Sequence, residues 1–129
     1  MFDVTRWRAA YEAFRDGDVD AFIGHCDEQI EWHTRWPGLE SVYHGHDGLR
    51  EWHRKVLEPM EFHTQMLDAE PLDEARALLH FRLEGTGRGS GVEVAMEVWY
   101  IWTLRGDKLV RSEVFYEREQ ALAAVGPAP

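Results

Sequence analysis

Two changes of hydrophobic period and one dense run of strand-forming residues predict an α+β domain, with helices first, then a strand, a further helix and a long antiparallel meander. Apolar residues recur at helical spacing over residues 3–16, alternate with polar ones from Ile30, and give way after residue 60 to β-branched and aromatic runs. At 129 residues, 44% hydrophobic and 12% aromatic, the chain supports one core and not two. A single domain over residues 1–125 is expected, with "GPAP" at 126–129 as a disordered tail.

In the first helix Val4, Trp7, Ala10, Tyr11 and Phe14 share a face, and "RDGD" ends it: Gly17 suits the positive φ of a helix end and Asp18 suits the next cap. "DVDAFIGHCDE" places Val19, Phe22 and Ile23 on one side of a short second helix, which Gly24 weakens by about 1 kcal/mol relative to alanine. From Ile30 the period becomes two. Ile30, Trp32, Thr34 and Trp36 face one way and Glu31, His33 and Arg35 the other, until Pro37 and Gly38 stop the strand. Leu49, Trp52, Val56 and Leu57 then fall at i, i+3, i+7 and i+8, with Asp47 placed to cap and Pro59 beyond the end, so a third helix of about ten residues is expected. Four strands follow, separated by the turn sequences "PLDE", "GRGSG" and "RGDK".

Fourteen Lys and Arg against 24 Asp and Glu leave a net charge of −10, which repels phosphate backbones and anionic lipid. Nucleic acid is therefore not an expected partner. The lone cysteine, Cys26, allows no internal disulfide and reads as a buried small hydrophobe. "MFDVTRWRAAYEAF" carries charge throughout and is neither signal peptide nor membrane span, so a cytoplasmic protein with no membrane partner is expected.

One stretch invites a metal reading. Gly38, His44, His46 and Glu51 complete G-x5-H-x-H-x4-E, which resembles the first motif of the cupin family and implies a metal-dependent oxygenase. That motif sits on strands of a barrel, whereas Glu51 falls in a helical pattern; Glu58 stands where the motif wants Gly, and its second half is missing. His44, His46 and His53 as zinc ligands remain the remote alternative, and no metal is expected.

A wider resemblance covers nearly the whole chain. The order of "GDVDAF", "IEW", "YHGHDGLREW" and "WTLRGDKLVRSEVFYEREQALAAVG" resembles the SnoaL-like family of the nuclear transport factor 2-like, or ketosteroid isomerase-like, superfamily. The resemblance implies a cone-shaped curved antiparallel sheet wrapped by about three N-terminal-half helices around an internal pocket, often dimeric through the outer sheet face. It also implies a cofactor-free acid–base lyase, isomerase or cyclase acting on a polyketide-like or aromatic carbonyl compound, or else a non-catalytic ligand-binding or assembly module. By element matching, the base of ketosteroid isomerases falls on Thr34, its tyrosine on Ala10 and its second acid on Tyr100, and none is matched. The Asp-Arg-Asp set of limonene-type epoxide hydrolases has no inward counterpart either.

Strand parity supplies the candidate site directly. Val94, Met96, Val98, Tyr100, Trp102 and Leu104 share one face of their strand, Leu79, Phe81 and Leu83 one face of another, and Val114 and Tyr116 one face of the last; these faces should point inward. Trp99, Ile101 and Phe115 then form an outer apolar patch, for which a homodimer is the economical explanation. Phe14, Trp32, Thr34, Trp36, Trp52, Phe81, Val98 and Trp102 would line a pocket for a small apolar or aromatic molecule. The candidate catalytic set is His25 as proton acceptor, three residues after Phe22, with Tyr100 and Tyr116 as donors to a developing oxyanion. His33 and His80 are expected on the outer surface, with His63 on either face.

Overall fold

The computed structural model describes residues 2–34 and 42–125. It contains α1 (Val4–Arg15), α2 (Val19–Ile23), β1 (Cys26–His33), β2 (Val42–His44), α3 (Gly45–Trp52), a π-helical turn (His53–Leu57), β3 (Met60–Pro71), β4 (Arg76–Gly87), β5 (Glu93–Arg105), β6 (Lys108–Phe115) and α4 (Arg118–Val125). The strands form one curled sheet in the order β2-β1-β6-β5-β4-β3. The expected meander is present as the antiparallel run β3 to β6.

Local chemistry fixes the ends of the first helices. The Asp3 carboxylate accepts from the Arg6 N–H at 3.1 Å to cap α1, Gly17 takes a φ of 104°, and the Asp18 carboxylate accepts from the Ala21 N–H at 3.2 Å to cap α2. At the start of α3, Gly45 takes a φ of 71°, and an added Cβ at Gly48 would lie 3.1 Å from the backbone of Tyr43, so a side chain there requires β2 to give way by a few tenths of an ångström.

Four features correct the sequence expectations. The sheet is mixed, because β1 runs parallel to β6, with an irregular register between Cys26 and Glu31. Asp47 does not cap α3: the N-cap is His44, without a side-chain hydrogen bond, and Asp47 pairs instead with Arg50 at 3.4 Å. The helical run from Gly45 widens into the π turn rather than continuing as one α-helix. A fourth helix, α4, lies on the outer sheet face, where Ala121 joins Leu78, Ile101 and Phe115 in a second core, with Trp99, Leu122 and Val125 against it. The patch behind the dimer argument is therefore covered by the chain itself. Trp99 is partly buried and stacks on His80 at 4.5 Å.

The main core lies on the concave side of the sheet. α1 supplies Trp7, Ala10, Tyr11 and Phe14, α2 supplies Phe22 and Ile23, and α3 supplies Leu49 and Trp52. They meet Ile30 and Trp32 of β1, Leu79, Phe81 and Leu83 of β4, and Val98, Tyr100 and Trp102 of β5. The inward parity read for β4 and β5 is the observed one. Each fully buried large side chain stabilises by roughly 1.5–3 kcal/mol, and this aromatic cluster carries most of that gain.

Candidate functional site

The interior is a continuous set of rings. Phe14 stacks on Trp52 at 5.8 Å, Trp52 meets Trp32 at 5.1 Å, Trp32 meets Tyr100 at 6.0 Å, and Tyr100 meets Phe81 at 5.3 Å. Tyr11 closes the circuit, 4.7 Å from Phe81 and 6.2 Å from Phe14. Of the expected pocket residues, Phe14, Trp32, Thr34, Trp52, Phe81, Val98 and Trp102 are all buried here, and Trp36 lies outside the described residues.

Polar groups in this interior are neutral donors. Burial pushes the Tyr11 phenol up to about 12, against the lowering influence of Thr64, Arg15 and Tyr100. Tyr100 is held well above the ordinary phenol value, first by burial and then by Tyr11 and Tyr116. The two phenols influence one another, Tyr100 favouring the Tyr11 oxyanion and Tyr11 opposing ionisation of Tyr100. Thr64 Oγ1 lies near enough to favour the Tyr11 oxyanion, yet makes no hydrogen bond of good geometry. Trp52 Nε1, Trp102 Nε1 and Ser112 Oγ are also buried without a hydrogen-bond partner among the described residues. Ser112 pairs in register with Trp102 on one side and Trp32 on the other, which sets its small side chain between two indoles. Neither Asp nor Glu is buried among the described residues, so the carboxylate sets of ketosteroid isomerases and epoxide hydrolases have no equivalent there.

The three residues expected to be catalytic divide. Tyr100 lies in the interior. Tyr116 follows the end of β6 and is 37% exposed, which corrects its expected inward place, although it acts electrostatically on Tyr100. His25 follows the end of α2 and turns toward α1: its Nδ1 accepts from Arg6 Nε at 3.1 Å and Nη2 at 2.7 Å, and its ring meets Trp7 edge-on at 5.5 Å. The His25 carbonyl accepts from Leu109 N–H, and Leu109 pairs with Leu104, four residues from Tyr100 along β5. That separation is about 13 Å at the strand rise, so the fold does not bring His25 and Tyr100 together.

Sequence reasoning passed over Thr64 and Ser112, took Tyr11 only as a core residue, and weighed His53 only as a zinc ligand. Tyr11 was already on the apolar face of α1, and Ser112 shares parity with Val114, so both were legible; His53 falls at i+4 from Leu49, within the stripe of Leu49, Trp52, Val56 and Leu57, and was legible as an inward residue too. It is the buried imidazole among the described residues, 5.2 Å from Phe14, and burial holds it below the ordinary imidazole value. His33 and Glu31 pair at 3.0 Å on one strand face, and His80 Nε2 lies 2.9 Å from Glu97 across the outer face, without the in-plane angle of a hydrogen bond. His63 is exposed.

The residues of the metal reading do not converge. His44 is exposed on β2, His46 Nε2 lies 3.1 Å from the Cys26 carbonyl, His53 is buried against Phe14, and Glu51 sits on α3 paired with Lys55 at 2.8 Å. No group of three His, Cys, Asp or Glu among the described residues could hold a metal ion. No helix among them is long and apolar enough to cross a membrane.

A sequence profile of the SnoaL-like domain matches residues 7–112, from within α1 to within β6. The chain belongs to the SnoaL-like domain family. That places it in the nuclear transport factor 2-like superfamily. Among curated proteins none matches the sequence. Solved structures with the same fold include a Mesorhizobium loti protein described as a SnoaL-like polyketide cyclase (20% identity, 90% of this chain and 100% of that chain, TM-score 0.70). TerC, co-crystallised with polyporic acid, has 19% identity over 92% of this chain and 94% of its own, with a TM-score of 0.73. A Mycobacterium tuberculosis protein in complex with estradiol-17beta-hemisuccinate has 5% identity over 90% and 94%, with a TM-score of 0.75. At these identities the likeness establishes the SnoaL-like fold, and chemistry rests on this chain's own residues.

Proposed function

We propose that this SnoaL-like domain binds a flat, mostly apolar carbonyl compound in its aromatic interior, with the phenols of Tyr11 and Tyr100 hydrogen-bonding the ligand oxygen. The carrying observation is the pair of buried hydroxyls, with Thr64 beside them, in an interior otherwise made of rings. Rings supply the area that a flat ligand would cover, and the phenols, kept protonated by burial, supply direction. Small-molecule complexes of the same fold, with polyporic acid and with estradiol-17beta-hemisuccinate, support this reading.

The test is a fluorescence titration of the core tryptophans with those two compounds as probes. Saturable quenching is expected, weakened about tenfold by Tyr100→Phe or Tyr11→Phe if one hydrogen bond is lost. Quenching without saturation, or with unchanged affinity in both variants, overturns the proposal.

A second reading makes the same interior catalytic, as an acid–base lyase, isomerase or cyclase on a polyketide-like or aromatic carbonyl compound. Tyr100 favours it, since a phenol held protonated in a water-poor site stabilises a developing oxyanion. Tyr116 would act at the edge of that site through its influence on Tyr100. His25, engaged by Arg6 and distant along the sheet, is poorly placed to share a small substrate with Tyr100.

A further inference from the structure

A ligand for this interior must first enter it. Tyr11 and Tyr100 are only 3% and 5% exposed, and Phe14 and Phe81 are fully buried, so the phenols are reached only after something moves. Paired strands wall one side of the interior, and α2 and α3 pack over β1. Between α1 and β3 the closure is different. β3 is the edge of the sheet, so its outward carbonyls have no strand partner, and α1 packs against it through side chains.

Arg15 spans that seam. It stands one helical turn after Tyr11 on the same side of α1, and its Nη1 donates to the Thr64 carbonyl of β3. Its Nε and Nη2 hold the carboxylate of Asp16 at 2.9 and 3.2 Å. Behind this contact lies the polar end of the interior: the Thr64 side chain and the Arg15 charge both act on the Tyr11 hydroxyl. Open space adjoins Arg15 on both sides. One cleft of about 700 Å³ runs from Arg15 past Gly17 and His53 to Met60, and another of about 270 Å³ runs from Arg15 over Thr64 and Gln65 to Arg82. Opening the sheet would break a ladder of backbone hydrogen bonds, whereas parting this seam breaks one side-chain hydrogen bond and leaves every strand paired.

We propose that Arg15 is the gate of the interior: a flat carbonyl compound enters between α1 and β3, beside Tyr11, when the guanidinium leaves the Thr64 carbonyl. That such a compound binds inside rests on the pocket reading above. Asp16, exposed and next in the chain, keeps the guanidinium paired as it swings into either cleft. The Thr64 contact is made in the empty and the filled domain alike, so it sets the rates of entry and exit and leaves the affinity nearly unchanged.

Stopped-flow tryptophan fluorescence of the full chain with 2-tetralone, a flat aryl-fused ketone, is the test. Arg15→Met keeps an unbranched side chain and removes the donors. Its association and dissociation rate constants should both rise about tenfold, the weight of one partly exposed charge-assisted hydrogen bond, while Kd changes less than about twofold. Unchanged or slower rates overturn the gate and leave the pocket reading standing. Faster dissociation alone, with weaker binding, makes Arg15 a ligand contact and overturns the gate as well. Two controls should keep both rates within about twofold of the wild type: Gly48→Ala, which strains β2 at the opposite edge of the sheet, and Arg88→Met, whose guanidinium lines the larger cleft but pairs with Glu61. Equal acceleration in either traces entry to general loosening or to the charge of the cleft, and overturns the assignment. Absence of saturable binding in the wild type overturns the pocket reading and, with it, this inference. Should Arg15→Met fail to fold, Arg15→Lys, which keeps the charge but loses the planar fork that spans Asp16 and Thr64, must still speed both steps; unchanged rates there overturn the gate.

Discussion

Acid should loosen the packing of α1 against the start of β1 at His25, and the structure sets the sign. Arg6 directs Nε and Nη2 at His25 Nδ1, donates through Nη2 to the Asp107 carbonyl at 2.9 Å, and lies 4.7 Å over the Trp7 ring, so one guanidinium ties α1 to the start of β1 and to the β5–β6 turn. A guanidinium has no acceptor, so Nδ1 must carry its lone pair, with the ring neutral and protonated at Nε2. Protonation would aim an N–H at two N–H groups. Burial lowers the His25 pKa first, then Arg6 and Lys108, against Asp107. A folded pKa below the unfolded value of 6.5 means that the contribution is complete above 6.5 and is lost as pH falls through the folded value. A partly exposed pair of hydrogen bonds contributes about 1–2 kcal/mol in total. From about pH 7.5 to about pH 5.5 a single imidazole of unfolded pKa about 6.5 can remove at most about 1.4 kcal/mol of this, which with a urea m-value of about 2 kcal/mol/M is a midpoint shift of at most about 0.7 M. The measurement is urea unfolding from about pH 7.5 to about pH 5.5 for the wild type and His25→Asn, which keeps an acceptor that does not titrate. The wild type should lose more stability over this range than the variant, by up to that amount. Parallel pH profiles, or a wild type relatively more stable in acid, would refute the clamp.

Three further outcomes follow from packing and burial. A stop after Glu117 removes α4 and bares Leu78, Ile101 and Phe115, so the truncated chain should self-associate in sedimentation velocity at concentrations where the full chain does not; identical sedimentation would show that α4 does not guard this face. Gly48→Ala, with its Cβ 3.1 Å from the Tyr43 backbone, should cost about 1–3 kcal/mol in thermal or urea unfolding, and a neutral result would mean that β2 gives way freely. The Cys26 thiol, pushed by burial up to about 12, should ignore a disulfide reagent at mildly alkaline pH until the protein is unfolded, and rapid labelling of native protein would contradict its placement.

What was legible in the sequence was whatever a period could carry. Strict alternation put Phe81, Val98, Tyr100 and Trp102 inside because a one-residue slip would have exposed all of them. Alternation does not encode strand direction, so the parallel β1–β6 pair was invisible. α4 was missed because "REQALAAV" seals the sheet with Ala121 and shows no broad apolar stripe. His25 stands three residues after Phe22 and would share its face on a longer helix, but α2 ends at Ile23 and the chain turns the imidazole toward Arg6. His53 follows the helical period: at i+4 from Leu49 it belongs to the apolar stripe of the third helix, and it is buried against Phe14.

The composition of the interior also limits what can enter it. Among the described residues the buried polar groups there are phenols, hydroxyls, indole N–H groups and the His53 imidazole, whose pKa burial lowers, with no buried carboxylate, lysine or arginine. Both phenols are held protonated, so they offer hydrogen bonds without charge. An ammonium or carboxylate carried into such a site would lose its hydration and gain no counter-charge, whereas a ketone oxygen loses little and gains the phenol donors. The domain should therefore bind 2-tetralone more tightly than 2-aminotetralin or tetralin-2-carboxylate by at least tenfold, about 1.4 kcal/mol, in a competition titration at neutral pH. Equal or tighter binding of either ion would mean that a charged group reaches the ligand, and the selectivity argued from neutral donors would have to be abandoned.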